Sequence, residues 1–184
     1  MLYNLAELQN DCSSLFKISP SDTLKIVQEL YEKKLVTYPR TDARVLSTAV
    51  AKEIYKNISG LKRYTPMATY ADEVLNMGSY KTIVKTKYVN DKQITDHYAI
   101  IPTGQGMGAL RGLSEIAANV YEIICRRFLS IFYPAAEYQK LAMTLAKQDE
   151  FLFANFKYML KEGYLKVATN RFARKKDDTK YSPE

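Results

Sequence analysis

The 184-residue sequence has few of the residues that build disulfide frameworks and metal sites. Its two cysteines, Cys12 and Cys125, lie far apart and outside any C-x-x-C spacing, and His97 is the one histidine. This pattern indicates neither a disulfide framework nor a zinc site. A reducing, cytoplasmic setting is therefore expected, and no metal ligand is predicted in this chain.

Long apolar runs, targeting signals and internal repeats are also missing. No apolar run approaches the roughly 20 residues that cross a bilayer, and the N-terminus has no basic segment followed by an apolar one. The run "GQGMGALRG" lacks G-x-x-x-x-G-K-[ST], and no strand leads into a G-x-G-x-x-G pattern. These absences argue against a membrane protein and a nucleotide-phosphate loop, and the glycine-crowded run is predicted to be a mobile loop.

What the sequence does contain is enough apolar material for a core and an excess of positive charge. Hydrophobic residues make up 47% of the composition, and 27 basic residues against 20 acidic ones give a formal charge of +7. A chain of this length can bury the core of one domain. The charge favours a polyanionic partner without proving one.

Helical patterns with capping signals begin the chain and return after residue 113. Apolar residues at three- and four-residue steps predict four helices. Their predicted N-caps are Asn4, Ser19, Ser47 and Ser114. Pro20 suits the first position of the second helix.

The second helix is predicted to bury a stripe that includes Leu30 and Tyr31, with Lys33 and Lys34 in its last turn. Two helices joined by a short link and followed by the extended run "LVTYPR" have the order of a helix-turn-helix with a wing-like strand. Such a module can lay a helix on DNA.

The remaining patterns are irregular or strand-like. Residues 65–112 are predicted to be loop-rich, with "YKTIVKTKYV" as a short strand. The alternating runs "YQKLAMTLAKQ" and "EFLFANFKYML" predict a β-hairpin with its turn at 148–150. The fold class is therefore α+β and mostly helical, with a small antiparallel β segment. The predicted divisions are residues 1–135, 136–168 and a charged tail or linker, 169–184.

Tyr38 is the first candidate for chemistry. The residue before a proline is pushed out of the helical region, so Tyr38, followed by Pro39, is held in extended backbone. Arg40 lies two residues further on, and a guanidinium matches the oxygens of a phosphate. A phenol is mostly protonated at neutral pH and needs a nearby cation, base or metal to attack. With 15 tyrosines in the chain, a plain packing role is the commoner fate of any single one.

His97 is the second candidate, within "KQITDHYAIIPTG". An imidazole titrates near neutrality and donates to a phosphate oxygen when protonated. The following apolar run "AIIP" is predicted to be a short buried strand that fixes the histidine at its end. A lone histidine is nonetheless more often structural than catalytic.

The two segments together resemble a known family. "LVTYPRTDARVLS" resembles the active-site tyrosine segment of type IA DNA topoisomerases, particularly the topoisomerase III branch, and "ITDHYAIIPT" resembles a second segment of that family. The stretch before Tyr38 and the later run "KEGYLKV" also match, so the resemblance extends from Leu2 to about Val167.

The resemblance implies a specific chemistry. Tyr38 would attack a phosphodiester of single-stranded DNA and form a 5′-phosphotyrosyl link, which is later resealed without ATP. Arg40 and His97 would contact the scissile phosphate, while Thr41 and Asp42 would shape the site. Three further cations would add DNA backbone contacts: Arg44, Lys85 and Lys87.

Two departures qualify the resemblance. Relatives often carry two successive histidines where this chain has His97 and Tyr98, so the role passes to His97 only. The acidic D-x-D-x-E pattern of the family's metal-binding domain is not found, nor is the first half of the arch domain. The chain is therefore interpreted as a central fragment, with a helical gate domain at 1–135 and returning arch strands at 136–168.

The fragment interpretation carries its own expectations. Mg²⁺ is expected in the intact enzyme, bound by a domain absent from this chain, and the fragment is expected to be inactive alone. Single-stranded DNA is the expected partner, no membrane is expected, the location is cytoplasmic with the nucleoid, and the oligomeric state stays open. The alternative is a non-catalytic winged-helix DNA-binding module, in which Tyr38 is replaceable by phenylalanine.

Overall fold

A computed structural model describes residues 1–147, 150–169 and 171–172 of the chain. The α-helices are α1 (Leu5–Phe16), α2 (Pro20–Glu32), α3 (Thr48–Leu61), α4 (Thr65–Met77), α5 (Glu115–Ser130) and α6 (Leu165–Ala168). Short 3₁₀ helices occupy Ser79–Lys85, Asp91–Gln93 and Met107–Gly112. The strands are β1 (Glu137–Lys147) and β2 (Glu150–Lys161). The mostly helical α+β class is confirmed.

The predicted helix starts agree with the structure, because each cap is a local interaction. The side chain of Asn4 accepts a hydrogen bond from the backbone N–H of Glu7 at 2.9 Å. The hydroxyls of Ser19, Ser47 and Ser114 make the equivalent bonds at α2, α3 and α5. Pro20 occupies the first turn of α2, as predicted.

Helix α5 lies at the centre of the core. Ten of its sixteen residues are buried, from Ala117 to Ser130, and it packs against α1, α2, α4 and α6. Phe128 and Tyr121 are among the largest fully buried side chains. A helix that is buried on most of its surface needs neighbours on several sides. Elements that precede and follow α5 in the chain therefore pack against it.

Two predictions for residues 65–112 are wrong. The run beginning at Thr65 is the α-helix α4, capped by Tyr64 without a side-chain hydrogen bond, so no capping signal marked it. The predicted strand "YKTIVKTKYV" is mainly the 3₁₀ helix Ser79–Lys85. Ile83 is buried and Val84 is exposed. This difference is expected for a short helical turn that packs one side against α3 and α4.

The glycine-crowded run is anchored at its start, contrary to the predicted mobile loop. Gly104 is buried against α3, and a Cβ on Gly60 would lie 2.1 Å from the Gly104 carbonyl oxygen. The side chain of Asn57 donates to the Pro102 carbonyl at 2.9 Å, and that of Arg63 donates to the Gly104 carbonyl at 3.1 Å. The later part, residues 107–112, forms a 3₁₀ helix.

The predicted β-hairpin is present. Strands β1 and β2 pair antiparallel from Glu137 opposite Lys161 to Lys147 opposite Glu150, with an irregularity next to Tyr138. Residues 148 and 149 of the predicted turn lie outside the described residues. Most large apolar side chains of both strands are exposed, which sets the hairpin apart from the helical core.

The chain that follows the hairpin returns to the helical core. The backbone N–H of Tyr164 donates to the Pro134 carbonyl at 2.8 Å, and Val167 is fully buried. Arg171 donates to the buried carboxylate of Glu122 at 3.2 Å. Most of the predicted charged tail, 169–184, lies outside the described residues, but Arg171 within it is bound to α5. In the described ranges no helix is long and apolar enough to cross a membrane.

Candidate active site

Tyr38 follows a sharp turn at the end of α2. The backbone N–H of Leu35 donates to the Leu30 carbonyl at 2.9 Å, and that of Lys34 donates to the Tyr31 carbonyl at 2.8 Å. This hydrogen-bond pair is the Schellman motif, which places the residue between the helix and the exit in left-handed backbone. That residue is Lys34, with φ of 61°. The two lysines predicted for the last helical turn therefore lie beyond the end of α2.

A crossing segment, residues 97–106, runs beside the exit from α2. The backbone N–H of Thr37 donates to the Ile101 carbonyl, and the Thr37 hydroxyl donates to the Ala99 carbonyl, both at 3.0 Å. The backbone N–H of Thr103 donates to the Leu35 carbonyl at 3.0 Å. The predicted run "AIIP" is buried as expected, but it forms isolated β-bridges to Tyr3 and Val36 instead of a strand. This pairing brings His97 to Tyr38 from 59 positions away.

Tyr38 lies between two rings. Its ring centroid is 4.3 Å from that of His97, with 41° between the planes. On another side, Tyr31 meets Tyr38 edge-on, with centroids 5.4 Å apart and planes at 82°. Edge-on and tilted ring pairs at these distances are attractive. Tyr31 is 39% exposed, so the prediction that it belongs to the buried stripe of α2 is wrong; the turn at Lys34 instead leaves it beside Tyr38.

These rings border a cleft of about 580 Å³, named here the tyrosine cleft. Sequence reasoning identified Tyr38 and His97 in it and missed the residues that complete the lining. The lining residues are Tyr31, Glu32, Lys34, Val36, Thr37, Tyr38, His97, Tyr98, Thr103 and Gln105. Burial raises the pKa of Tyr98, which keeps its phenol protonated. The cleft joins the end of α2 to the crossing segment, so its lining is discontinuous in sequence.

Thr41 connects the two motifs through its side chain. It is buried, and its hydroxyl donates to the His97 carbonyl at 2.8 Å while accepting from the backbone N–H of Ala43 at 3.1 Å. Asp42 is exposed, and its carbonyl accepts from the side chain of Asn4 at 3.1 Å. Thr41 thus holds the backbone of His97, and Asp42 is tied to the start of α1.

The predicted cations are not gathered in the tyrosine cleft. Arg40 is exposed and, within the described residues, makes no hydrogen bond or ion pair. Arg44 pairs with Glu7 at 3.2 Å. Lys85 and Lys87 are exposed, and Lys87 lines a different cleft. Of the predicted cations, only Arg40 is close in sequence to Tyr38 and unpaired in the described part of the chain.

The ligands for a metal ion are not assembled in the described part of the chain. No group of three His, Cys, Asp or Glu side chains with metal-binding geometry occurs there. Glu32 is the carboxylate that lines the tyrosine cleft. Mg²⁺ prefers several oxygen ligands, usually with carboxylates, so the cleft residues alone do not fit a Mg²⁺ site.

Comparison with known proteins identifies the family of the chain. A family model described as DNA topoisomerase matches residues 1–184, and the chain therefore belongs to the DNA topoisomerase family. Among curated relatives, DNA topoisomerase 3 of Bacillus cereus is 35% identical over 175 residues, covering 93% of this chain. DNA topoisomerase 3 of Bacillus subtilis is 37% identical over 169 residues, covering 90%. The predicted membership of the type IA family, topoisomerase III branch, is confirmed.

The chain spans about a quarter of these relatives, 23% of the Bacillus cereus protein and 22% of the Bacillus subtilis protein. A solved structure of full-length topoisomerase I from Thermotoga maritima matches with a TM-score of 0.60 and 23% identity. The match covers 91% of this chain and 26% of that one. At this identity the likeness shows a shared fold.

Proposed function

We propose that this chain is the tyrosine-bearing gate segment of a type IA DNA topoisomerase and that Tyr38 is its nucleophile. The Tyr38 phenolic oxygen attacks the phosphorus of a phosphodiester in single-stranded DNA and loses its proton. The bond from phosphorus to the deoxyribose 3′ oxygen breaks, and that oxygen leaves as a 3′-hydroxyl after gaining a proton. The 5′-phosphoryl group stays on Tyr38, and the reverse reaction reseals the strand without ATP.

The observation that carries this proposal is the contact between the Tyr38 and His97 rings. Two sequence motifs 59 positions apart meet at one open cleft, although neither ring is needed to fill the core. A protonated imidazole beside the phenol can donate to a phosphate oxygen and offset the charge that develops during attack. Thr41 supports this role by holding the His97 carbonyl.

Arg40 is proposed to bind the scissile phosphate. Its exposure and its lack of a partner in the described ranges leave the guanidinium available for two parallel hydrogen bonds to phosphate oxygens. Asp42 is proposed to shape this end of the site. Weaker, sequence-independent backbone contacts are proposed for Arg44, Lys85 and Lys87, outside the tyrosine cleft.

The intact protein is proposed to need Mg²⁺, bound by a domain outside this chain. We further propose that the 184-residue chain alone neither cleaves nor relaxes DNA, and that the intact protein works in the cytoplasm on the nucleoid. A relaxation assay on negatively supercoiled plasmid with Mg²⁺ tests the inactivity, and robust turnover by the chain alone would refute it.

The decisive experiment traps a denaturant-resistant DNA adduct with the intact protein. Tyr38→Phe should abolish the adduct and leave single-strand binding near wild type, whereas Tyr98→Phe, a matched change in the same cleft, should retain it. Arg40→Ala should form the adduct more slowly, because the activation barrier should rise by about 2–4 kcal/mol. An adduct that survives Tyr38→Phe would show that another residue is the nucleophile, and the absence of any adduct in the wild-type protein would favour the non-catalytic winged-helix alternative.

A further inference from the structure

A second cleft adjoins the tyrosine cleft across the crossing segment. It has a volume of about 480 Å³. Its lining residues are Tyr55, Lys56, Ser59, Gly60, Arg63, Thr103, Gly104 and Gln105. Thr103 and Gln105 line both clefts. A chain-like ligand that enters the tyrosine cleft can therefore continue past Gln105 onto α3.

Gln105 is held at this junction by the glycines on either side. Gly104 and Gly106 have φ of 75° and 69°. A Cβ on Gly104 would lie 2.7 Å from the Asn57 carbonyl oxygen, and a Cβ on Gly106 would lie 2.5 Å from the Lys33 carbonyl oxygen. Both glycines thus allow backbone contacts that a side chain would prevent. The exposed Gln105 side chain is presented between two fixed points, one on α3 and one at the end of α2.

The side chains along this path suit a nucleic-acid strand. Lys34 in the tyrosine cleft and Lys56 and Arg63 in the second cleft are exposed cations. Tyr31 and Tyr55 are exposed aromatic residues, one in each cleft, and Tyr55 is 51% exposed. Cations that follow the backbone and rings that stack on bases are the features of single-strand binding grooves.

Existing contacts leave most of these groups available. Lys56 pairs with Glu53 at 2.9 Å, but both side chains are exposed, so water competes strongly for this pair. One guanidinium nitrogen of Arg63 donates to the Gly104 carbonyl, which fixes the side chain beside the cleft. Glu32 opposes the cations in the tyrosine cleft, whereas the lining of the second cleft contains no carboxylate.

The backbone at Lys34 adds an independent observation. Its left-handed conformation costs a non-glycine residue about 1–2 kcal/mol, and the site is the one where the Schellman motif usually has glycine. Lys17 at the end of α1 has the same conformation, so the strain points to a use of the Lys34 side chain only together with its position in the tyrosine cleft. A lysine at this position puts a cation in the tyrosine cleft at the expense of stability.

We propose that the two clefts form one binding track for the DNA strand on the 3′ side of the cleaved bond. The inference rests on the proposed function, because attachment of the 5′-phosphoryl group to Tyr38 sets where the strand starts and which way it runs. The strand passes from Tyr38 beside Lys34 and Gln105 to Lys56 and Arg63. The covalent link to Tyr38 holds the 5′ end, and the track holds the following nucleotides in place while the bond is open.

Binding of short product-like strands to the 184-residue chain tests the track. The probes are a thymidine dinucleotide and a thymidine octanucleotide, each with a 5′-phosphate that stands in for the phosphoryl group on Tyr38. NMR follows the imidazole signals of His97, which are unique because the chain has one histidine. Titrations at several salt concentrations give the affinity and its salt dependence.

We expect both probes to shift the His97 signals and the octanucleotide to bind more tightly. Lys56→Glu should remove the advantage of the octanucleotide and lower its salt slope by about 0.7 for the lost phosphate contact, with no change for the dinucleotide. Gln105→Ala should act in the same direction. Lys52→Glu is the matched control, since it makes the same charge change on α3 at an exposed residue outside both clefts.

Three results would overturn the track. They are an octanucleotide that binds no better than the dinucleotide, equal losses in Lys56→Glu and Lys52→Glu, and length-dependent binding that leaves the His97 signals unmoved. The proposed function is judged separately by the Tyr38→Phe adduct experiment. A protein that forms the adduct but shows no length dependence retains its nucleophile and lacks the track.

Discussion

The helical body, residues 1–135, buries most of its large apolar side chains, whereas the β1–β2 hairpin exposes most of its own. Helix α5 alone buries ten residues in the body. The hairpin exposes large apolar side chains along both strands: Tyr138, Leu141, Met143, Leu145, Phe151, Leu152, Phe153, Phe156, Tyr158, Met159 and Leu160. A two-stranded hairpin is marginally stable by itself. The comparison teaches that a sequence can specify which strands pair even where those strands bury no core of their own.

The strongest test of this comparison removes one phenylalanine from each region. Phe128→Ala should lower the free energy of unfolding by about 3–5 kcal/mol, because it empties a fully buried site on α5. Phe153→Ala, at a side chain that is 74% exposed, should change it by about 0.5 kcal/mol or less. Urea unfolding followed by circular dichroism measures both. Similar losses would mean that the hairpin residues are packed in solution.

Ion pairs give the second test. Glu122 is almost fully buried and accepts from Arg126 at 2.8 Å and from Arg171 at 3.2 Å. Glu122→Ala should cost roughly 3 kcal/mol, because it leaves the largely buried Arg126 guanidinium without its carboxylate.

The matched control for Glu122 is an exposed pair in the hairpin. Glu137→Ala removes the partner of Lys161 at 3.0 Å and should cost less than about 1 kcal/mol. Chemical denaturation of the two variants under identical conditions provides the comparison. A small loss in Glu122→Ala would contradict the inference that Arg171 is bound firmly to α5.

The parts of this fold that could be predicted from the sequence are those decided locally. A serine or asparagine cap acts within three residues, so Asn4, Ser19, Ser47 and Ser114 mark four helix starts. Helix α4 begins at Thr65, and its N-cap Tyr64 makes no such bond, so this helix was not predicted. The alternating pattern of the hairpin is also local, since successive strand residues face opposite sides.

The candidate site was predictable only in part, because its geometry depends on contacts between distant residues. Tyr38 and His97 were identified through a family resemblance, while their distance follows from the hydrogen bonds of Thr37 to the crossing segment. Tyr31 was assigned to the core because its spacing on α2 fits a buried stripe. Helix α2 buries Thr23, Val27 and Leu30 instead, and the left-handed turn at Lys34 that precedes Tyr38 is not revealed by helical periodicity.

An exposed tyrosine from each region extends the comparison to smaller effects. Tyr31→Ala should cost about 0.5–1.5 kcal/mol for the lost ring pair with Tyr38, and it should change the NMR signals of the Tyr38 ring. Tyr138→Ala in the hairpin, where Lys157 lies 3.9 Å from the ring centroid, should cost about 0.5 kcal/mol and leave those signals unchanged. Unchanged Tyr38 signals in Tyr31→Ala would show that His97 and the backbone alone position the phenol.

The smallest expected effect has the opposite sign and concerns backbone strain in the body. Lys34→Gly relieves about 1–2 kcal/mol of left-handed strain. Part of this gain in stability is lost, because glycine has greater conformational freedom in the unfolded chain. The net result should be a gain of about 0.5 kcal/mol in the free energy of unfolding.

Lys33→Gly is the control for this change, one residue earlier. Lys33 has φ of −76° and pairs with Glu29 at 3.2 Å, so glycine there relieves no strain and should lower stability by about 0.5–1 kcal/mol. Thermal and urea unfolding of the two variants should therefore move in opposite directions from wild type. Because Lys34 lines the tyrosine cleft, the stabilised Lys34→Gly variant should also bind the 5′-phosphorylated octanucleotide more weakly than wild type. A variant that gained stability and kept its full affinity would show that the strained lysine has no part in holding DNA.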